Sequence, residues 1–226
     1  MSITMLAIDT ATEFASIALY DEMSGLIAES SWRTAMNHTV ELMPTVVRSL
    51  RTQGLPPQRL NGVAVALGPG SFTGLRIGLS VAKGLCLALR LPIVGIPTLD
   101  VVAYAHFEQD LPICAILQAG RGRICAAVYA REDGAWLRTS DYELATVDEL
   151  LARAEEPTLF CGEIDERLRQ ALTARGPDRA EIASPASSLR RAGYLAELGR
   201  EKLQQMGGDD LTSLEPLYLY HPKIDD

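Results

Sequence analysis

The sequence predicts an α/β protein of two lobes, each built on a mixed sheet flanked by helices. Short alternating apolar runs near the start indicate a strand meander. A later stretch, residues 61–91, combines an apolar strand, a glycine turn and a long apolar helix. The length of 226 residues suits two small lobes, and 47% hydrophobic residues are enough for a substantial core.

Strands and helices alternate in the first half. A three-stranded antiparallel meander is predicted over residues 3–9, 14–20 and 26–32. A helix then runs to about Arg51, and Asn37, His38 or Thr39 caps it. The strand, glycine turn and helix follow, and the half ends with a strand over 92–96 and a helix over 98–107.

The second half is less regular. Strands are predicted over residues 112–118, 124–130, 136–144, 158–161 and 181–183. Thr146 and Glu149 form a capping box for a short helix. Further helices are predicted over 165–174 and from Ser187 or Ser188 to about Met206. The predicted domains are 1–107 and 108–226, and the last helix and tail, 188–226, are a candidate for packing back on the first lobe.

The order of these elements predicts the fold more closely. A meander followed by helix, strand, helix, strand and helix is the lobe of the actin-like, ribonuclease H-like (ASKHA) fold. In that fold two such lobes face each other across a cleft.

The glycine turn and its helix have two interpretations. Backbone N–H groups at the helix start can bind an anion, or the glycines let the helix lie close to a neighbour. Gly74, Gly78 and Ala82, four apart, share one face, and Arg76, Lys83 and Arg90 form a basic stripe. The helix carries more apolar surface than packing on one sheet requires, which favours a second partner. A central helix of the core is the alternative. The candidate interface residues on this and the preceding helix are Leu42, Met43, Val46, Leu50, Gly74, Gly78, Leu79 and Ala82.

Composition excludes several classes of protein. A net charge of -8 argues against unaided nucleic-acid binding, which usually needs a basic surface. The four cysteines form no CxxC pair and predict reduced core thiols of a cytoplasmic protein. We expect no signal segment, no run long enough to span a bilayer, and no membrane partner.

Several motifs together resemble a known family. These are Met5–Glu13 (MLAIDTATE), His38–Thr39, Gly68–Gly78 (GPGSFTGLRIG) and Pro97–Leu99. On these motifs the chain resembles the TsaB (YeaZ) family over roughly residues 5–105. The stretch Gln118–Arg123 departs from an Ile-Asp-Ala-Arg-like sequence that many relatives carry at this point.

The resemblance implies a role in forming N6-threonylcarbamoyladenosine at position 37 of tRNAs that read codons starting with A. In that pathway a separate enzyme makes threonylcarbamoyl-adenylate, and the TsaD transferase moves the threonylcarbamoyl group onto tRNA. TsaB is similar in fold to TsaD and serves as its non-catalytic partner, and the ATPase TsaE joins them. The resemblance therefore implies that this chain meets tRNA only through the complex.

A weakened nucleotide site is the next expectation. Actin-like ATPases carry Asp-x-Gly-Thr after the first strand, whereas this chain has Asp9-Thr10-Ala11-Thr12. The second turn lacks a P-loop lysine and misses GxGxxG by one position. The candidates are Asp9, Thr10, Gly68, Gly70, Ser71 and Thr73. We expect no cofactor beyond weak ATP or ADP binding in the complex, and a structural role for Asp9 in satisfying turn N–H groups. An actin-fold ATPase or small-molecule kinase is the alternative function.

No metal site is predicted. TsaD has two metal-binding histidines, four apart, where this chain has Thr98 and Val102. His38, His106 and His221 have no metal-ligand spacing, and His38 is explained as part of the helix cap.

Partner binding gives the sharpest expectations. A two-helix apolar surface would dock the paralogous transferase and would form a homodimer when the partner is absent. A bulky residue at Gly74 or Gly78 is expected to abolish the complex and leave the monomer folded. A third hypothesis is a direct tRNA-binding module. Arg121 and Arg123 are candidates for reaching tRNA phosphate or an acidic partner, and a tight hairpin with exposed arginines is the alternative.

Overall fold

The computed structural model describes residues 3–34, 37–154 and 156–219. Among the residues discussed above, His221 and the end of the tail lie outside the described residues. The chain forms two compact units: the first contains Met1–Val101 and Arg190–Leu217, and the second contains Val102–Leu189. The predicted boundary at residue 107 lies slightly later, because a helix that starts in the first unit continues into the second.

The first unit holds a five-stranded mixed sheet. Its order is β3-β2-β1-β4-β5, with β1 antiparallel to β2 and parallel to β4. The strands are β1 (Thr4–Asp9), β2 (Phe14–Asp21), β3 (Gly25–Arg33), β4 (Gly62–Gly68) and β5 (Ile93–Pro97). The first three helices of the chain are α1 (His38–Thr52), α2 (Phe72–Leu89) and α3 (Thr98–Tyr104). The predicted meander and the strand–turn–helix stretch are confirmed.

The two faces of this sheet bury different side chains because strand residues alternate in direction. Leu6, Ile8, Val63 and Val65 join residues of α1 and α2 in one core cluster. Helix α6 (Ala192–Met206) packs on the sheet at β1, β2, β4 and β5. There Gly199 lies so close to Ala64 that an added Cβ would come within 2.5 Å of the Ala64 side chain. The central strands are thus buried on both faces.

Helix α6 begins later than predicted. The expected caps, Ser187 and Ser188, lie in turns, where Ser187 hydrogen-bonds with Ser184, and the cap residue is Arg191. The segment after α6 returns to the sheet of the first unit. Asp209 accepts a 2.7 Å hydrogen bond from the Gly95 N–H and lies 2.8 Å from Lys202, which fastens the segment to β5.

The second unit holds a six-stranded sheet ordered β11-β10-β6-β7-β8, with β9 paired to β7. The strands are β6 (Ile113–Gly120), β7 (Arg123–Glu132), β8 (Ala135–Arg138), β9 (Glu143–Thr146), β10 (Thr158–Gly162) and β11 (Ala180–Ile182). The helices are α4 (Val147–Arg153) and α5 (Glu166–Ala174). The predicted single strand 136–144 is wrong: two strands, β8 and β9, each pair with a different part of β7. The capping box of Thr146 and Glu149 is confirmed.

Helix α2 corrects one expectation about membranes. Its 18 residues are long and apolar enough to cross a bilayer by length and composition. The core helix of a soluble protein passes the same test. Here one face of α2 is buried within the first unit, and this face includes Leu75, Leu79 and Ala82.

Candidate functional site

Two turns that bind phosphate in an actin-like ATPase lie against each other in this chain. The first turn, residues 10–13, joins β1 to β2, and the glycine turn, residues 68–74, joins β4 to α2. The Thr10 hydroxyl donates a 2.7 Å hydrogen bond to the Gly74 carbonyl. The Ser71 N–H donates to the Ala11 carbonyl at 2.6 Å. Each turn therefore supplies the other with hydrogen-bond partners.

The glycines make this contact possible. A Cβ on Gly70 would lie 2.3 Å from the Ala11 carbonyl oxygen, and one on Gly74 would lie 2.1 Å from the Thr10 carbonyl oxygen. On Gly78 it would lie 2.2 Å from the Thr10 hydroxyl oxygen. Such distances are far inside van der Waals contact. Of the two interpretations left open by the sequence, close packing inside the chain accounts for these three glycines.

Asp9, at the end of β1, is buried and fully engaged. Its Oδ1 accepts a 2.8 Å hydrogen bond from the Ala11 N–H, which agrees with a structural role in the turn. Its Oδ2 accepts from Arg190 Nε at 2.9 Å, and both side chains are at most 5% exposed. The same guanidinium also donates to the Thr12 hydroxyl and the Phe14 carbonyl. Arg190 thus ties the first turn to the segment before α6.

This arrangement limits what the site can do chemically. A general base or a magnesium ligand needs a carboxylate oxygen directed at the ligand, and both oxygens of Asp9 are bonded within the chain. The N–H of Gly68 donates to Thr98 Oγ1 at 3.0 Å, and the N–H of Gly74 donates to Ser71 Oγ. These N–H groups of the glycine turn, with that of Ser71, are therefore occupied by protein atoms.

Sequence reasoning missed Arg190. It lies 181 positions from Asp9 and has no motif around it. A buried strand-end carboxylate requires a cationic partner, but the chain has 21 lysines and arginines, and the sequence does not distinguish among them. Only the folded chain, in which α6 packs on the sheet, shows that Arg190 pairs with Asp9.

The predicted interface residues do not form a surface. Seven of the eight are buried and Met43 is half-buried; the buried ones are Leu42, Val46, Leu50, Gly74, Gly78, Leu79 and Ala82. The prediction chose the broadest apolar face of each helix, and that face packs on the sheet. Other apolar side chains of the two helices are exposed instead: Val40 (67%), Val47 (46%), Phe72 (54%) and Leu87 (69%).

His38 is not part of a cap, contrary to the sequence interpretation. The cap residue of α1 is Asn37, whose side chain makes no capping bond, and His38 is buried behind it. Within the described part of the chain, His38 Nδ1 has no hydrogen-bond partner. Burial lowers the pKa of His38, and the charges of Glu41 and Asp9 oppose this to a smaller extent.

This shift predicts a pH dependence of stability. A folded-state pKa below the ordinary value of 6.5 means that the unfolded chain binds the proton more readily. The free energy of unfolding should therefore fall as the pH drops below about 6.5. Urea titrations at several pH values would measure this slope, and His38→Gln should reduce it. Part of the slope should remain, because burial also lowers the pKa of His106. An identical slope in the variant would contradict the assignment.

The cysteines give no reactive thiol, and the acids form no metal cluster, among the described residues. All four cysteines are buried and unpaired, and burial raises the pKa of Cys86 and Cys125 to about 11. A thiol with such a pKa is a poor nucleophile and metal ligand at neutral pH. In the described ranges, no three His, Cys, Asp or Glu side chains gather to hold a metal ion.

Comparison with known proteins places the chain in a family. A family model described as TsaD, tRNA N6-adenosine threonylcarbamoyltransferase, matches residues 27–221. The tRNA threonylcarbamoyladenosine biosynthesis protein TsaB of Bacillus subtilis is 33% identical over 219 residues, covering 96% of this chain and 93% of that protein. This chain belongs to the TsaB family. The solved structure of YeaZ from Pseudomonas aeruginosa agrees, with a TM-score of 0.80 at 25% identity over 96% of this chain and all of that one.

The transferase itself is a more distant relative of this TsaB-family chain. The tRNA N6-adenosine threonylcarbamoyltransferase of Anaeromyxobacter dehalogenans is 35% identical over 96 residues, which cover 42% of this chain and 28% of that protein. The resemblance stated from the motifs and the actin-like fold class are both confirmed. At the positions matched to the transferase histidines, Thr98 and Val102 are buried, and Thr98 accepts the Gly68 hydrogen bond.

The stretch Gln118–Arg123 lies in a hairpin. Strands β6 and β7 join through Gly120, Arg121 and Gly122, all with positive φ, near 74°, 54° and 72°. Arg121 and Arg123 are exposed at this tip, as the hairpin interpretation predicted. Gln118 is held at its base, since its side-chain amide donates to the Glu163 carbonyl at 2.8 Å.

Proposed function

We propose that this TsaB-family chain is a non-catalytic subunit needed to form N6-threonylcarbamoyladenosine at position 37 of tRNAs that read codons starting with A. It scaffolds a TsaD-like transferase and a TsaE-like ATPase in the cytoplasm, and it reaches tRNA only through that complex. It carries no cofactor of its own, although weak ATP or ADP binding within the complex is compatible with the proposal. The proposal rests on family membership together with the buried Asp9–Arg190 pair.

The pair supports the loss of catalysis. In an actin-like ATPase the carboxylate after the first strand and the glycine turn serve the nucleotide phosphates. Here Asp9 neutralises Arg190, and the first turn occupies the space beside Gly70 and Gly74. Releasing Asp9 for metal or water would leave a buried guanidinium without its counter-charge, which is strongly unfavourable.

The exposed faces of α1 and α2 support the partner role. We call this surface the docking face; its members are the exposed Val40, Val47, Phe72 and Leu87 and the half-buried Ile77 and Val81. Part of it forms a groove of about 480 Å³ lined by Phe72, Ile77 and Val81 of α2 and Thr39 of α1. Exposed apolar patches of this kind mark protein–protein contacts. We propose that the transferase paralogue docks here, and that a second copy of the chain takes its place in a homodimer when the paralogue is absent.

Reconstitution of tRNA modification tests the proposal. Unmodified tRNA, threonylcarbamoyl-adenylate, the TsaD-like transferase and the TsaE-like ATPase are incubated with and without this chain, and the modified nucleoside is measured by mass spectrometry. We expect modification to depend on this chain and the chain alone to produce none. Equal modification in its absence would contradict the scaffold role.

The same preparation distinguishes the alternative function. An actin-fold ATPase or small-molecule kinase would turn over ATP by itself and lose that activity in Asp9→Asn. A non-catalytic subunit shows no turnover beyond a no-protein blank, and Asp9→Asn still supports modification in proportion to the fraction that is folded.

A further inference from the structure

Gly84 of α2 has no explanation inside the chain. It is exposed in the middle of the helix, and an added Cβ would meet nothing within 4 Å. Gly74 and Gly78 of the same helix differ, because their Cβ positions overlap Thr10. Glycine is the poorest helix former after proline. A glycine at position 84 therefore weakens α2 without any internal gain.

The helix surface around Gly84 projects little, because glycine has no side chain and two of its neighbours, Ser80 and Ala88, are small. Its helical neighbours at three and four positions are Ser80, Leu87 and Ala88, which are exposed, and Val81, which is half-buried. Small side chains at a helix surface let a second helix approach more closely. The docking face is therefore lowest at Gly84, one turn before the exposed Leu87 side chain and more than three turns after Phe72.

The edges of the docking face are basic. Helix α1 contributes the exposed Arg48 and Arg51, and α2 contributes the exposed Arg76 and its cap Arg90. Lys83 of α2 is half-buried, and its Nζ donates to the Thr212 carbonyl at 3.4 Å. Glu41 is the single acidic residue of the two helices, and it already accepts a 2.9 Å hydrogen bond from Trp32 Nε1. The chain as a whole carries a net charge of -8, so this basic surface is exceptional.

We infer that the docking face selects a helix of a different protein, one with carboxylates along both edges of an apolar stripe, and that this helix crosses α2 at Gly84. The inference rests on the proposed function and specifies its partner. Two copies of this chain pairing through the same face would place arginines and lysines opposite each other, because a twofold interface repeats the same patch on both sides. An acidic partner removes that repulsion and adds attraction.

Salt tests the charge argument, because screening acts in opposite directions on the two complexes. The full-length chain is titrated with the TsaD-like paralogue by calorimetry, and its self-association is followed by sedimentation, both at low and high sodium chloride. We expect the dissociation constant of the heterodimer to rise with salt and that of the homodimer to fall or stay constant. Opposite trends would overturn the inference.

Substitutions test whether the partner helix crosses α2 at Gly84. Gly84→Leu should weaken the heterodimer by about tenfold or more, while its circular dichroism stays that of the parent. Arg51→Glu should also weaken it, whereas Arg167→Glu, an exposed arginine of α5 in the second unit, is the matched control and should not. Unchanged affinity in Gly84→Leu, or equal losses in both charge reversals, would refute the inference. If the parent chain does not bind the paralogue at all, the proposed function itself fails.

Discussion

Replacing Arg190 with leucine should lower the free energy of unfolding by about 3–5 kcal/mol, the usual effect of removing one partner of a buried ion pair. Asp9, which is 1% exposed, would lose its only cationic partner among the described residues. The hydrogen bonds from Arg190 to Thr12 and Phe14 would disappear as well. Urea-induced unfolding followed by circular dichroism measures the change.

The neighbouring arginine is a matched control. Arg191 also pairs with a carboxylate, Glu29, at 2.7 Å, but its side chain is 47% exposed. Arg191→Leu should therefore cost less than about 1 kcal/mol, as exposed pairs do. The double variant Asp9→Asn with Arg190→Leu removes both charges and should be more stable than Arg190→Leu alone. Equal losses for Arg190→Leu and Arg191→Leu would show that the buried pair has no special role.

The second large effect is expected at Gly74. Gly74→Val should destabilise the chain by about 3 kcal/mol or more, because its Cβ would lie 2.1 Å from the Thr10 carbonyl oxygen, a backbone atom. The sequence-based expectation, a folded monomer that fails to bind its partner, is therefore corrected for both Gly74 and Gly78. Loss of the complex in these variants would follow from unfolding and would say nothing about the interface.

Gly84 on the same helix provides the comparison. Gly84→Ala should raise the free energy of unfolding by about 0.5–1 kcal/mol, because alanine forms helix more readily and the added methyl group has open space. Thermal unfolding of the parent, Gly74→Val and Gly84→Ala should thus give three separate transitions, with Gly84→Ala highest. A Gly84→Ala protein less stable than the parent would mean that the position is packed within the chain.

Much of the fold was predictable because local patterns in the sequence are strong. The meander, the strand–glycine turn–helix stretch and the capping box at Thr146 each depend on residues close in sequence. The predictions were wrong where hydrogen-bond partners outside the local stretch decide the bounds of a strand or helix. The run 136–144 forms two strands because β7 is long enough to pair with both, and α6 starts at Ala192 because the serines before it bond with one another.

The sequence by itself determined the fold class and the family, through the spacing of apolar residues and the motifs at Asp9, His38 and Gly68–Gly78. Only the tertiary structure decided what those motifs do. Whether a glycine admits a ligand, a partner or its own chain depends on which atoms occupy the space beside it. That space is filled by Thr10 at Gly74 and is open at Gly84. Likewise, both carboxylate oxygens of Asp9 are bonded within the chain because folding brings Arg190 to it from 181 residues away, and no local pattern encodes that pairing.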